Sequence, residues 1–105
     1  MQLKISLVLE TEKEETALRL VGRLNQLIQA GTPDLEKYHK GGTKVFLKRG
    51  LPEIDWPNAF LMGLNLAQTF GRSWTISGSA EEELNLVSTE FSVAGINFAE
   101  ILLLR

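Results

Sequence analysis

The hydrophobic period changes from two to about 3.6 early in the chain, and this change limits the folds open to it. Residues 3–10, LKISLVLE, alternate leucine and isoleucine with other residues, which predicts a strand with one strongly buried face. Residues 12–30 repeat apolar side chains three and four positions apart. This spacing predicts an amphipathic helix that begins at a Thr11–Glu14 capping box and ends at Gly31. A one-sided strand followed by such a helix indicates a domain in which helices cover a sheet.

The middle of the chain predicts three further elements. Residues 32–40 begin with Thr-Pro, which indicates one short helical turn before the glycine pair. Residues 43–49 alternate as a strand, although neither face of that strand is wholly apolar. A second helix is predicted from Asp55 to Phe70, with Gly71 at its end.

The last third of the chain predicts strands. Short runs rich in β-branched and aromatic residues alternate with glycine and serine turns, as in a meander. Ser79 followed by Glu82 is also a capping box, so a helical turn over residues 80–87 stays an alternative, although strand from about Leu84 is favoured. The predicted strands cover residues 73–77, about 84–93 and 96–104.

These elements predict a single α+β domain over residues 1–105. The chain order β-α-β-α-β-β-β fits a two-layer sandwich with one mixed sheet and both main helices packed on one face of it. A right-handed crossover through the first helix would place the first two strands parallel, whereas the last strands would form an antiparallel meander.

Composition agrees with an ordinary folded domain and excludes several classes of site. The chain has 44% hydrophobic and 23% charged residues, close to the average of soluble globular domains. It has no cysteine, which excludes disulfides, thiol nucleophiles and thiolate metal sites within this chain. Neither a signal peptide nor an apolar run of roughly 20 residues is recognisable. We therefore expect a soluble, cytoplasmic protein without a cofactor, a bound metal or a membrane partner.

A basic segment, KYHKGGTKVFLKRG at residues 37–50, is the first candidate site. It carries five of the eleven Lys and Arg residues and no acidic residue. Glycine amides and lysines together could bind phosphate groups or nucleic acid, although the glycine spacing differs from that of a phosphate-binding loop. Lysines on a strand also serve as ordinary solvent-facing residues. The anion-binding candidates are Lys40, Gly41, Gly42, Lys44, Lys48 and Arg49.

His39 is the only imidazole of the chain and the second candidate site. Asp34 and Glu36 lie close to it in sequence and could orient it as a general base. A single histidine in a polar loop is more often simply solvated, and a lone imidazole has no second histidine with which to bind a metal. An enzyme centred on His39 is therefore an alternative, and the favoured interpretation is that the protein is not an enzyme.

The third candidate site is a protein-binding surface near the end of the chain. In FAEILLLR, residues that alternate to both sides of the predicted last strand are apolar, so both faces of that strand need cover. Two helices on one side of the sheet cannot supply it. A triple glutamate and a tryptophan add charged and aromatic contacts. The interaction candidates are Trp74, Glu81, Glu82, Glu83, Leu102 and Leu104.

Taken together, the sequence predicts a small non-enzymatic interaction or regulatory module that binds a protein partner or a second copy of itself as a homodimer. In size and class the predicted domain resembles small bacterial accessory proteins such as toxin immunity proteins, a resemblance that involves no shared motif. The alternatives are an anion-binding or nucleic-acid-binding domain that uses residues 37–49, and a small enzyme centred on His39.

Overall fold

A computed structural model of the chain describes residues 1–79 and 82–105. Within these residues the main sheet has six strands in the order β2-β3-β1-β8-β6-β5, and β4 and β7 form a separate pair. The elements are β1 (Gln2–Leu9), α1 (Glu14–Ile28), β2 (Asp34–Lys37), β3 (Thr43–Gly50), α2 (Trp56–Phe70), β4 (Gly71–Arg72), β5 (Thr75–Ser79), β6 (Glu83–Ser88), β7 (Glu90–Phe91) and β8 (Ile96–Leu104).

The predicted α+β two-layer sandwich is confirmed. The two helices pack on the sheet face formed by Leu3, Ile5, Leu7 and Leu9 of β1 and their neighbours, and these four side chains are buried. Gly63 of α2 faces the sheet, and a Cβ atom there would lie 3.5 Å from a methyl group of Leu84, which is ordinary van der Waals contact. The buried stripe of α1 is Ala17, Val21, Leu24 and Ile28, and that of α2 is Trp56, Ala59, Gly63, Ala67 and Phe70.

The prediction of a parallel pair between the first two predicted strands is wrong. β1 pairs with β3 in the antiparallel sense, and each pairing found in the described residues is antiparallel. The crossover through α1 ends instead in β2, which runs parallel to β1 with β3 between them. The chain therefore makes a split β-α-β arrangement, in which the β2–β3 hairpin places β3 between β1 and β2.

β2 replaces the helical turn predicted over residues 32–40. Leu35 is half-buried against the core and lies opposite Val45 in the β2–β3 ladder. Strand pairing and burial of Leu35 outweigh the local helix-start signal of Thr32 and Pro33, which acts only on the first turn of a helix.

The predicted strand over residues 84–93 is shorter and is interrupted. β6 ends at Ser88, whose buried hydroxyl donates to the carbonyl of Arg72 and accepts from the amide of Glu90. The following residues pair with β4 instead of β8. Residues 83–88 are strand, and the remainder of the alternative helical turn includes residues 80 and 81, which lie outside the described residues.

The limits of α2 are confirmed, whereas those of α1 differ slightly. Asp55 precedes α2 and Gly71 follows it, as predicted. α1 begins after Lys13, and its last turn is closed by Gln29 in a left-handed conformation at φ 57°. The Asn25 side chain, which accepts from the amide of Ala30, helps to hold this end.

Gly42 provides a direct test of the fold. Its φ is +94°, and a Cβ atom there would overlap the backbone carbonyl oxygen of Leu9. We expect Gly42→Ala to lower the free energy of unfolding by at least about 2 kcal/mol, measured by urea denaturation. Gly31→Ala is the matched control, since nothing lies within 4 Å of the added atom and its effect should be below about 1 kcal/mol. Equal losses in the two variants would contradict the described β2–β3 turn.

Candidate functional site

The sheet face opposite the helices is the main candidate surface, and we call it the open face. Neither α1 nor α2 covers it, because their buried residues pack with the alternate strand positions. Its residues lie side by side in the strand registers and are half-buried or exposed except for Val8. In the central strands they are Lys44, Phe46 and Lys48 of β3, Lys4, Ser6 and Val8 of β1, Phe98, Glu100, Leu102 and Leu104 of β8, and Glu83, Asn85 and Val87 of β6.

Apolar side chains occur on neighbouring strands of the open face, and polar residues such as Ser6 and Glu100 lie between them in the registers. Val8 lies between Lys44 and Phe98 in the ladder, and only 8% of its surface is exposed. Along β8, Leu102 and Leu104 are half-buried on this face, while the intervening Leu103 is fully buried under the helices. The two-sided apolar character of the last strand therefore gives the sheet a hydrophobic outer surface as well as a core.

Charge is divided among the four central strands of the open face. Lys44 and Lys48 lie on β3, and Lys4 lies beside Lys48 on β1. Glu100 of β8 and Glu83 of β6 lie on the other half. We call β3 and β1 the lysine half and β8 and β6 the glutamate half of these central strands. Asp34 and Glu36 of the edge strand β2 lie next to the lysine half, opposite Phe46 and Lys44.

The strand period separates the basic candidates predicted from the sequence. Lys44 and Lys48 lie on the open face, whereas Arg49 points to the helix side and its guanidinium donates to the carbonyl oxygen of Ile28 at 3.0 Å. This bond satisfies a carbonyl at the end of α1, and the positive charge complements the helix dipole there. Arg49 therefore has a structural role and lies apart from Lys44 and Lys48.

The glycine pair forms the turn between β2 and β3. Gly41 and Gly42 both have positive φ, the amide of Gly41 donates to the carbonyl of Tyr38, and the Tyr38 amide donates to Gly42. These bonds account for both glycines by turn geometry. Lys40 is exposed in the same turn, next to a pocket on the open face.

That pocket has a volume of about 370 Å³. Val8 lies at its base, with Lys44 and Phe98 on either side of it in the ladder. The ammonium of Lys44 lies 5.0 Å from the ring centroid of Phe46 and 6.0 Å from that of Tyr38, which are cation–π distances. The rest of the pocket is lined by Lys40, Gly41 and Asn97.

His39 lies outside this pocket. It is exposed, and its ring centroid lies 4.7 Å from that of Tyr38. Asp34 and Glu36 are exposed on the edge strand β2, in register with Phe46 and Lys44. Among residues 1–79 and 82–105, no group of three His, Cys, Asp or Glu side chains is placed to hold a metal ion.

The remaining interaction candidates separate into different surroundings. Trp74 is half-buried in an aromatic cluster with Phe70 and Phe91, and its indole N–H donates to the carbonyl of Ala67 at 3.1 Å. The amide of Glu82 donates to the hydroxyl of Ser79 at 3.3 Å. Glu83 lies opposite Leu104 at the edge of the open face, while Glu81 lies outside the described residues. Of the predicted set, Glu83, Leu102 and Leu104 share one surface.

Sequence reasoning missed Val8, Phe46 and Phe98 as surface residues of the site. The alternation of residues 43–49 was a usable signal, because Phe46 shares its side of the strand with Lys44 and Lys48. Bringing Phe98 next to Val8 requires the β1–β8 register, which no local pattern supplies.

Comparisons with protein-family models, with curated proteins and with solved structures give no match to this chain. In the described part of the chain, neither helix has both the length and the apolar composition needed to cross a bilayer.

The separate role of Arg49 can be tested by stability. We expect Arg49→Met to lower the free energy of unfolding by about 1–3 kcal/mol, because the buried Ile28 carbonyl loses a charged donor. The matched control is Lys48→Met at the neighbouring, exposed position. This substitution should change the free energy of unfolding by less than about 0.5 kcal/mol. Urea denaturation of both variants makes the comparison, and a larger loss for Lys48→Met would contradict the assigned faces.

Proposed function

We propose that this protein is a non-enzymatic interaction module that binds a second copy of itself through the open face. The observation that carries the proposal is a set of apolar side chains on β3, β1 and β8 that no described helix covers, namely Phe46, Val8, Phe98, Leu102 and Leu104. Removing such a surface from water contributes roughly 25 cal/mol for each Å² that is buried. A regulatory or accessory role would then be exerted by the dimer.

The extent of the open face is adequate for a dimer. Four strands at about 4.8 Å spacing and about eight residues at 3.4 Å each give a flat footprint of roughly 500 Å² per subunit. Side-chain relief increases the accessible area above the flat footprint. A standard interface buries about 800 Å² per partner, so the central strands supply an area of the required order.

The division of charge favours a second copy over an unrelated partner. Consider a two-fold axis that lies between the two sheets, parallel to the strands and between β1 and β8. This axis places β1 of one subunit over β8 of the other, and β3 over β6. The lysine half of each subunit therefore faces the glutamate half of its partner. Face-to-face sheets pack with their strands aligned within about 30°, which this axis permits. An axis perpendicular to the strands would place like charges together.

A charge-swap experiment tests both the surface and the axis. Lys4→Glu alone and Glu100→Lys alone each create like-charge contacts in both halves of the dimer. We expect each variant to dimerise at least tenfold more weakly than the wild type. An equimolar mixture of the two should recover the dimer, because both contacts are then complementary. Light scattering would report twice the 11.7 kDa chain mass for the wild type and for the mixture.

The matched control is the pair Arg19→Glu and Glu15→Lys, which makes the same charge changes at exposed positions on α1. These variants should dimerise as the wild type does, alone and mixed. Circular dichroism confirms that each variant is folded. A monomeric wild type would contradict the proposal. So would a result in which mixing restores the dimer for the two α1 variants but not for Lys4→Glu and Glu100→Lys.

A further inference from the structure

We infer that the pocket beside the Tyr38–Gly41 loop binds a small planar aromatic molecule that carries a phosphate or carboxylate group. The pocket lies at the end of the open face, above Val8, and its volume of about 370 Å³ accommodates one ring and its substituent. This inference goes beyond the proposed dimer, because it concerns a ligand site with its own chemistry.

The apolar part of the pocket suits an aromatic ring. Val8 lies at the base with Phe98 beside it in the ladder, and the half-buried ring of Tyr38 contributes a second aromatic surface. Aromatic pairs favour stacked or edge-to-face contacts, which stabilise a complex beyond the area that they bury. A flat ligand gains these contacts, whereas a bare inorganic anion does not.

The polar part of the pocket suits an anion. Lys40 and Lys44 line it, and cation–π contacts hold the Lys44 ammonium beside the Phe46 and Tyr38 rings. Asn97 adds a side-chain amide that can donate a hydrogen bond. None of the residues that line the pocket is acidic. Glu36 lies opposite Lys44 in the β2–β3 ladder, and its charge should weaken the attraction for an anion.

The pocket overlaps the proposed dimer interface. The proposed axis places β8 of one subunit over β1 of the other, so the partner sheet covers Val8 and Phe98, which are paired in the β1–β8 ladder. The ligand therefore binds the monomer, and phenyl phosphate should weaken the dimer. Lys4→Glu, which is expected to be monomeric, keeps all the residues that line the pocket. Failure of this variant to bind phenyl phosphate would refute the ligand site alone, whereas a wild-type dimer that binds the probe without being weakened would contradict the proposed axis.

Phenyl phosphate is the probe, with inorganic phosphate and phenol as compounds that each keep one of its two features. Titrations of the full chain are followed by calorimetry and by amide chemical shifts in NMR spectra. We expect phenyl phosphate to bind at least tenfold more tightly than either control compound. The shift changes should centre on Tyr38, Gly41, Lys44, Asn97 and Phe98. Equal affinity for inorganic phosphate, or shifts centred elsewhere, would overturn the inference.

Substitutions around the pocket separate a built site from general attraction by positive charge. Lys40→Gln should weaken phenyl phosphate binding at least threefold without changing phenol binding, and Glu36→Gln should strengthen phenyl phosphate binding. Lys37→Gln is the control, because Lys37 is exposed in the same segment and lines a different pocket. An equal loss in Lys40→Gln and Lys37→Gln would refute the site.

A short single-stranded oligonucleotide distinguishes the free ligand from a polymer of similar chemistry. We expect the oligonucleotide to bind no more tightly than a nucleoside monophosphate. We also expect Lys48→Gln to leave the affinity for the oligonucleotide unchanged. Much tighter binding that is lost in Lys48→Gln would assign the lysine half to a nucleic-acid strand and would overturn the small-molecule assignment.

Discussion

The central strand β8 needs cover on both of its faces, and the rest of the structure follows from how that need is met. One face packs under α1 and α2, where Ile101 and Leu103 are buried. The other presents Leu102 and Leu104 to the open face. β8 lies between β1 and β6, so this apolar surface is at the middle of the sheet and not at an edge that a loop could easily cover. The proposed function rests on this one-sided helix layer.

Much of the fold could be predicted because its strongest elements have long, regular patterns. The period-two run of β1 and the 3.6-residue period of α1 each identify an element with a buried face. Asp55 and Gly71 bounded α2 correctly. β2 could not be predicted in this way, because its four residues are stabilised by pairing with β3, and that long-range contact leaves no periodic signal in so short a segment. The strand break at Ser88 has a similar cause, since it depends on contacts with Arg72.

The candidate site was only partly predictable for the same reason. Alternation alone implies that Lys48 and Arg49 point to opposite faces, although their proximity in sequence suggested a single basic site. The structure resolves this by placing Arg49 at the end of α1 and Lys48 beside Lys4. The neighbours of Lys44 come from separate parts of the chain, namely Val8 and the Tyr38 loop. Such a combination depends on strand register, which sequence spacing does not specify.

The most direct test of the central claim is a distance between two copies of the protein in solution. The chain has no cysteine, so a single spin label can be attached at Lys48→Cys on the open face or at Leu61→Cys, an exposed position of α2. Sheets packed about 10 Å apart around the proposed axis predict a separation of roughly 20 Å for the Lys48 labels. The Leu61 labels should be separated by more than about 30 Å, because a helix layer lies between each label and the interface. The distances are measured at protein concentrations at which light scattering shows each labelled variant to be a dimer. No coupling between Lys48 labels in that dimer, or a shorter distance between Leu61 labels, would contradict a dimer formed through the open face.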